Sequence, residues 1–433
     1  MKKLIIILLI IPLFIVSCKK KDVPPVYTTD EMARDKLYDI MNQYYLWYDL
    51  MPVVTKENYA TPYTLLDAMM YKTLDRWSFV ETYDEYQAQM SGTFVGHGIR
   101  LGLDPSDQVR IAMIYDKSDL YAKGVRRGWI VKTLNGTALA PIFISGDGTT
   151  YNNLIGPSTA GITNTFVFHT PAGKDSTIAS TKASFTTNPV LKADTLHLST
   201  GIAGHIVLEQ FFPPADVELD TAFAYFKRCN VSFLIVDLRY NGGGLLDLCA
   251  TMASNIAGAS YANTTFLGLA FNNKNTDQNG LFKYKTVTNP LTVSKIVFIN
   301  TRGTASASED LINGLKPIFN SNIVCLGDTS NGKPVGMNGF QYSTSYFFFP
   351  ITFKVVNSNG NGDFYGGIPP AKYIADDITH DFSDRSESNL KEAIYYLEHG
   401  TLSSKGEYIF RRSVQFSEKP DRMNNAIIIN GQH

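Results

Sequence analysis

The stretch that decides the fold is Thr304-Ala305-Ser306-Ala307-Ser308-Glu309, set between the apolar runs Ile296-Val297-Phe298-Ile299 and Ile323-Val324-Cys325-Leu326. Each run reads as a buried strand, and between them Leu311, Ile312, Leu315 and Ile318 recur at helical spacing, with Pro317 near the end. Strand, helix and strand in this order form a parallel βαβ unit, whose ligands bind beyond the carboxyl ends of the strands. Ser306 then falls at a strand-to-helix turn, where a hydroxyl is exposed and unpaired backbone N–H groups point outward. The loop after the second strand, Asn331-Gly332-Lys333-Pro334, brings Lys333 to the same edge. A serine and a lysine converging there suggest a nucleophile with an amine base. Both residues also have structural readings. Ser306 with Glu309 fits an S-x-x-E capping box worth about 1 kcal/mol to the helix, and Lys333 fits a solvated loop lysine.

A third element is Phe233-Leu234-Ile235-Val236-Asp237-Leu238-Arg239-Tyr240-Asn241-Gly242-Gly243-Gly244, a buried strand running into three glycines. Leu245, Leu248, Cys249, Met252 and Ile256 follow at helical spacing. Consecutive glycines let backbone N–H groups approach a ligand, and at a helix N-terminus those groups stabilise a phosphate or a developing oxyanion. The phosphate reading fails, because Asp247 stands where a G-x-G-x-x-G fingerprint starting at Gly242 needs its last glycine and no G-K-[ST] follows. A tight turn without a ligand remains the alternative to an oxyanion site.

Asp-Leu-Arg-Tyr-Asn-Gly-Gly-Gly at 237–244, Ala-Ser-Ala-Ser-Glu at 305–309 and Gly-Asp-Thr-Ser-Asn-Gly-Lys at 327–333 together resemble the tail-specific (C-terminal processing) peptidases, the S41 serine peptidases. The resemblance implies Ser306 as nucleophile and Lys333 as general base. It implies oxyanion donors from Gly243 or Gly244 and from Ala307. Family members often carry a glutamine four residues after the lysine, which orients its amine. This chain has Met337 there, with Gln341 further along. No metal or organic cofactor is implied.

Upstream, Phe94-Val95-Gly96-His97-Gly98-Ile99-Arg100-Leu101 resembles the carboxylate-binding loop and second strand of a PDZ domain. Successive N–H groups flanked by glycine can hold a peptide C-terminus while the strand edge pairs with the peptide. Gly96, His97, Gly98 and Ile99 are therefore the expected peptide-binding residues, His97 itself either touching the peptide or simply solvated. Gly124-Val125-Arg126-Arg127-Gly128-Trp129-Ile130-Val131 and Leu134-Asn135-Gly136 resemble a later PDZ segment, with Trp129 in place of the usual aspartate. From about 140 to 165 the chain reads as a long polar stretch rich in Gly, Thr and Asn. The alternative for this region is an ordinary half-open barrel with glycine turns.

With 433 residues the chain is long enough for two to four domains, and 44% hydrophobic residues is ordinary for globular protein. A formal net charge of −1 provides no basic footprint for nucleic acid. Met1-Lys2-Lys3 precedes an apolar run over 4–16, too short for a span of about 20 residues, that ends in Ile15-Val16-Ser17-Cys18. This resembles a bacterial lipobox, with cleavage before Cys18 and a lipid on that cysteine; a signal peptide without lipidation is the alternative. Cys249 and Cys325 lie in apolar patterns and read as buried thiols, and no metal-ligand spacing is visible.

The expected architecture is multidomain α/β: 1–17 signal peptide, 18–27 lipid-anchored tether, 28–90 helical and aromatic-rich cap, 91–190 PDZ-like β-rich domain, 191–400 catalytic core with βαβ units, and 401–433 an extension whose sequence is uninformative. The resemblance implies a ClpP/crotonase-like core, with Gly366-Gly367-Ile368-Pro369-Pro370 as the family's G-x-x-P motif. The aromatic cluster of the cap reads as packing. The expected function is an extracytoplasmic Ser/Lys endopeptidase acting on protein or peptide substrates, on the periplasmic or outer-membrane side of a bacterial envelope. The alternative is a catalytically impaired lipoprotein on the same scaffold that binds peptides or lipophilic ligands. A glycan-binding lipoprotein leaves the three ordered motifs unexplained.

Overall fold

The computed structural model describes residues 28–404 and 414–418, and the backbone of 427–429. The basic start, the apolar run and Cys18 lie outside the described residues. Among the described residues no helix is long and apolar enough to cross a membrane.

A six-stranded sheet organises the chain, in the order Val190–Leu198, Gly201–Leu208, Phe233–Asp237, Lys295–Asn300, Ile323–Gly327 and Lys372–Tyr373. The first two strands form an antiparallel hairpin, and every later pairing is parallel. Successive side chains on a strand face opposite ways. Leu234, Val236, Ile296 and Phe298 pack on one face against the helices Ala215–Arg228, Leu246–Ala257 and Ala307–Phe319. Phe233, Ile235, Val297 and Ile299 pack on the other face against Leu390, Ile394 and Leu397 of the helix Ser388–His399. Helices cover both faces, which is why these strands read as unbroken apolar runs. The register sets Asp237 beside Ile299 and Asn300 beside Gly327, so the three motifs leave the sheet at one edge.

A second six-stranded sheet runs Gly244–Leu245, Ile427–Ile429, Val335–Asn338, Ile351–Asn357, Thr265–Phe271 and Gly280–Lys283. Two of its strands adjoin the sequence motifs: one begins at Gly244, the last glycine of the first motif, the other two residues past Lys333.

The N-terminal region has helices at Thr29–Tyr44, Pro62–Met69 and Tyr83–Met90, each with a threonine N-cap: Thr28, Thr61 and Thr82. It is not purely helical. Phe79–Thr82 pairs antiparallel with Tyr346–Phe349, so this region is stitched to the core. Its aromatic residues pack there: Phe79 stacks on Phe349 at 4.8 Å between centroids and Tyr86 on Phe347 at 3.9 Å.

Between the two lies a β-rich domain built on Ile99–Leu103, Val109–Ile114, Ile130–Leu134, Thr163–His169 and Asp175–Thr181, with Thr93–Gly96 paired separately to Ala183–Thr186. The long polar stretch over 140–165 folds into helices Ala140–Ser145 and Gly148–Ile155 and the start of a strand. Ile142, Phe143, Tyr151 and Ile155 turn inward and supply the burial that outweighs its weak helical propensity. The uninformative extension also has a place. Gln415–Ser417 adds a strand to this domain's sheet, and Ile427–Ile429 adds one to the second sheet of the core.

Candidate active site

Ser306 precedes the helix Ala307–Phe319 with φ 68° and ψ −123°, a conformation costly for any residue with a side chain. Two sets of bonds hold it there. Asp310 N–H donates to the Ser306 carbonyl at 2.9 Å, closing the first helical turn. Ala305 N–H donates to the Asn241 carbonyl at 3.1 Å, Thr304 Oγ1 to that of Leu238 at 2.7 Å, and Ser308 Oγ to that of Asn241 at 3.1 Å. The serine turn is thus tied to the glycine motif. Ser306 Oγ is buried and makes no hydrogen bond. Only half of the expected capping box forms, since Glu309 accepts from Ser306 N–H at 2.9 Å while the hydroxyl makes no cap bond. At a positive φ the hydroxyl is not presented to the helix N–H groups as an ordinary N-cap would be.

Glu309 does more than cap. Its Oε2 also accepts from Lys333 N–H at 2.8 Å, and its Oε1 accepts from Gly332 N–H at 2.6 Å and Ser330 Oγ at 2.5 Å. Burial pushes its carboxyl up, and these four donors oppose that shift. Asn331 N–H completes the join by donating to the Thr304 carbonyl at 2.8 Å. Gly332 has φ 91°, and a Cβ there would meet the Tyr365 carbonyl oxygen at 2.3 Å, so only glycine lets the loop pass Tyr365-Gly366-Gly367. Ile368 N–H donates to Ser330 Oγ at 2.7 Å, which places the Gly366–Pro370 segment against the lysine loop.

Lys333 is fully buried, not a solvated loop lysine. Burial holds its amine down to about 7, against the pull of Asp75, Glu309 and Asp310, which favour the charged form. Its Nζ lies 5.9 Å from the ring centroid of Trp77. Trp77 Nε1 donates to Asn331 Oδ1 at 3.2 Å and Arg76 to the Asn331 carbonyl at 3.0 Å. Asp75, Arg76 and Trp77 therefore belong to the site, though their sequence pattern looks like the end of a helical region. Met337 is buried in the apolar cluster shared with the N-terminal helices. Gln341 is exposed and donates to the Ser343 carbonyl, so it takes no part.

One turn into the helix, Asp310 is fully buried and neither carboxyl oxygen has a hydrogen-bond partner. Burial, aided by Glu309, pushes its carboxyl well above the usual carboxylate range. Nothing in the sequence pattern distinguishes it from an ordinary acidic first-turn residue.

Of the expected oxyanion donors, Ala307 opens the helix, so its N–H has no helical acceptor. Gly243 N–H is instead taken by Asn241 Oδ1 at 2.9 Å, which removes it from that role in this conformation. Gly244 has φ 138°, and a Cβ there would strike the Phe211 carbonyl oxygen at 2.5 Å, so the turn demands glycine.

The same motif carries a buried ionic cluster. Arg239 donates to Asp237, to Asp376 at 2.7 Å and to Glu387 at 2.9 Å. Arg127, from the β-rich domain, reaches Asp376 at 3.1 Å and Tyr240 Oη at 2.7 Å. Burial opposes charge on Asp376, yet Arg127 and Arg239 hold its carboxyl well below the usual range.

In the β-rich domain the loop Gly96-His97-Gly98 binds a carboxylate of this same chain. Glu418 Oε2 accepts from His97 N–H at 2.9 Å and Gly98 N–H at 3.0 Å. The His97 side chain is not solvated. It is buried, with Nδ1 2.9 Å from Ser180 Oγ and Nε2 2.7 Å from Asn164 Oδ1, and burial lowers its imidazole to about 4. Ile99 opens the strand that receives Gln415–Ser417.

The family model for peptidase family S41 matches residues 202–373, and that for the peptidase S41 N-terminal domain matches 32–79, together just over half of the chain. No curated protein matches. Among solved structures, a Bacteroides fragilis NCTC 9343 protein assigned as an S41 protease is similar at 19% identity and a TM-score of 0.71, over 87% of this chain and 99% of that one. The photosystem II D1 C-terminal processing protease matches at 18% identity and a TM-score of 0.46, over 81% of this chain and 94% of that one. The first of these likenesses supports the fold, and the two family matches cover Asp75–Trp77, the glycine motif, the serine turn and the lysine loop. The chain belongs to peptidase family S41.

Proposed function

We propose that this S41 peptidase is an endopeptidase working through a Ser306/Lys333 dyad, with residues 91–190 as a PDZ-like domain that receives substrate C-termini. The observation that carries the catalytic part is the fully buried Lys333, its amine held near 7, on a loop bound to the same Glu309 oxygen as Ser306. A lysine in this state is neutral often enough at physiological pH to accept a proton. Lys333 takes the Ser306 proton as Oγ attacks the scissile carbonyl. The resulting oxyanion is met by Ala307 N–H and the glycine turn, with Gly244 favoured over Gly243. The lysine then returns the proton to the leaving amine; in the second step it takes a proton from water as that water attacks the acyl carbon, and returns it to Ser306 Oγ as the acyl–oxygen bond breaks. Lipid attachment at Cys18 on the bacterial envelope is supported by the Ile15-Val16-Ser17-Cys18 sequence after its apolar run.

The test is labelling with a fluorophosphonate probe. Wild type is expected to label, and Ser306→Ala and Lys333→Met are expected not to. Undiminished labelling of Ser306→Ala sinks the nucleophile. A second reading, a peptide-binding lipoprotein with impaired catalysis, is favoured by one observation: Met337 is buried among apolar side chains where the family's orienting glutamine stands. Failure of the wild-type protein to label would favour it.

A further inference from the structure

The strand Gln415–Ser417 comes from a part of the chain more than two hundred residues beyond the rest of its sheet. It lies antiparallel to Ile99–Leu103, with Gln415 opposite Gly102, Phe416 opposite Leu101 and Ser417 opposite Arg100, and Leu103 N–H donates to the Val414 carbonyl at 3.1 Å. Strand addition to a sheet edge is the way an extended peptide is captured. The other two parts of such a capture are also present. The Glu418 carboxylate sits on the successive N–H groups of His97 and Gly98, nearly out of water, with Lys182 Nζ 3.4 Å from its other oxygen. Two residues back, Phe416 enters an apolar pocket, its ring 4.6 Å from that of Phe143 and 5.2 Å from that of Tyr151.

The later segment has a comparable position in the core. Ile427–Ile429 lies between Gly244–Leu245 and Val335–Asn338 and parallel to both, with Ile427 beside Gly244, Ile428 beside Leu245 and Met337, and Ile429 beside Asn338. Those flanking strands follow the glycine turn and Lys333. Backbone added there occupies the gap between two of the three motifs.

We propose that these segments are a built-in pseudo-substrate: residues 414–418 fill the peptide-capture groove, Glu418 standing in for a terminal carboxylate, and 427–429 fill the strand position between the catalytic motifs. The peptidase is thereby held against other peptides until this part of the chain leaves. The geometry also names the competitor, a peptide with a free C-terminal carboxylate and an aromatic residue two positions before it. This rests on residues 91–190 being a peptide-capture domain, and not on the roles of Ser306 and Lys333.

The test uses the full chain carrying Ser306→Ala, with and without Phe416→Ala and Glu418→Gln, and the fluorescein-labelled peptide Val-Gln-Phe-Ser-Ala as free acid and as amide. In the parent, the Leu103 amide is expected to be protected from hydrogen exchange and the free-acid peptide to bind weakly. In the variant, Leu103 exchange is expected to rise at least tenfold and free-acid affinity at least tenfold, with the amide gaining little. If alanine at 416 loosens the domain, Phe416→Leu with Glu418→Gln keeps the pocket filled while removing the charge. Equal peptide affinity in parent and variant, or an unprotected Leu103 amide in the parent, overturns the inference. Faster Leu103 exchange with no peptide bound by either protein overturns it together with the peptide-capture reading. Fluorophosphonate labelling of the Ser306-intact chain decides the catalytic reading separately.

Discussion

Trp77 and Lys333 meet with the amine nitrogen 5.9 Å from the centre of the indole ring, one residue supplied by the N-terminal region and the other by the edge of the parallel sheet. An aromatic face favours a cation, yet the amine is held down to about 7, so exclusion of water outweighs the attraction of the ring. Trp77→Ala is expected to admit water and return the amine toward its ordinary value of 10.5. The acid limb of the kcat/KM–pH profile is then expected to move up by about one unit or more. An unmoved limb would mean that Trp77 shields some other group.

Ser306 separates the chemical role from the structural one. Its Oγ makes no hydrogen bond and its φ is 68°, so Ser306→Ala removes no cap bond and is expected to leave Tm unchanged or slightly raised while abolishing cleavage. Ser306→Gly relieves the backbone strain and is expected to stabilise the fold by about 1 kcal/mol, the strain released less the added chain entropy. Thermal unfolding of both variants checks this. A loss of about 1 kcal/mol in each would restore the cap reading.

Lys333 links both activity and stability to pH, and both rise as the pH rises. Its folded value of about 7 lies below its ordinary 10.5, so the unfolded chain holds the proton more tightly. The cost to the folded state is absent above about 10.5, grows as pH falls, and is constant below about 7. Lys333→Met is therefore expected to be inactive and more stable than wild type at pH 7, by roughly a few kcal/mol, with the gain vanishing above pH 10.5. Wild-type activity is expected to rise through about pH 7 as the amine loses its proton. Lys333→Arg is expected to be inactive throughout, because guanidinium keeps its proton. Denaturant titrations at pH 6, 8 and 10 beside the rate profile decide the matter.

Glu309→Ala strips one carboxylate from the Ser306, Gly332 and Lys333 N–H groups and from Ser330 Oγ. It is expected to cost about 3 kcal/mol or more, since buried donors lose their acceptor. It is also expected to cut kcat by at least a hundredfold. Glu309→Gln supplies one acceptor oxygen in place of two and is expected to fall between. An alanine variant with near-normal Tm and kcat would leave the site organised by something else.

The parallel sheet, the serine turn and the lysine loop were legible in the sequence because their signals are local: apolar runs, a helical period and glycines at turns. Relations across the fold were not. Trp77 reads as one more aromatic residue in a crowded region, and it is brought to the lysine by long-range contacts: the pairing of Phe79–Thr82 with Tyr346–Phe349 and the bonds of Arg76 and Trp77 to Asn331. Glu309 was visible by spacing, but as a cap, since nothing in S-x-x-E foretells that the serine will adopt a positive φ and release its half of the box. His97 looks like a surface histidine beside glycines, while its ring is fixed by Asn164 and Ser180 from strands far along the chain. The helices at 140–155 have weak propensity and are held by Phe143 and Tyr151. Residues 415–417 are too short a strand to show any period, and their partner alone defines them.

The shared Glu309 oxygen has a mechanical consequence. Two catalytic groups carried on separate loops would each jitter about their own anchors, and the errors would accumulate in the distance between them. Here the backbones of Ser306 and Lys333 are referred to a single atom, so a displacement of the helix that carries it moves both together. Their separation is therefore steadier than either position, and the proton transfer proposed between them is steeply sensitive to that separation.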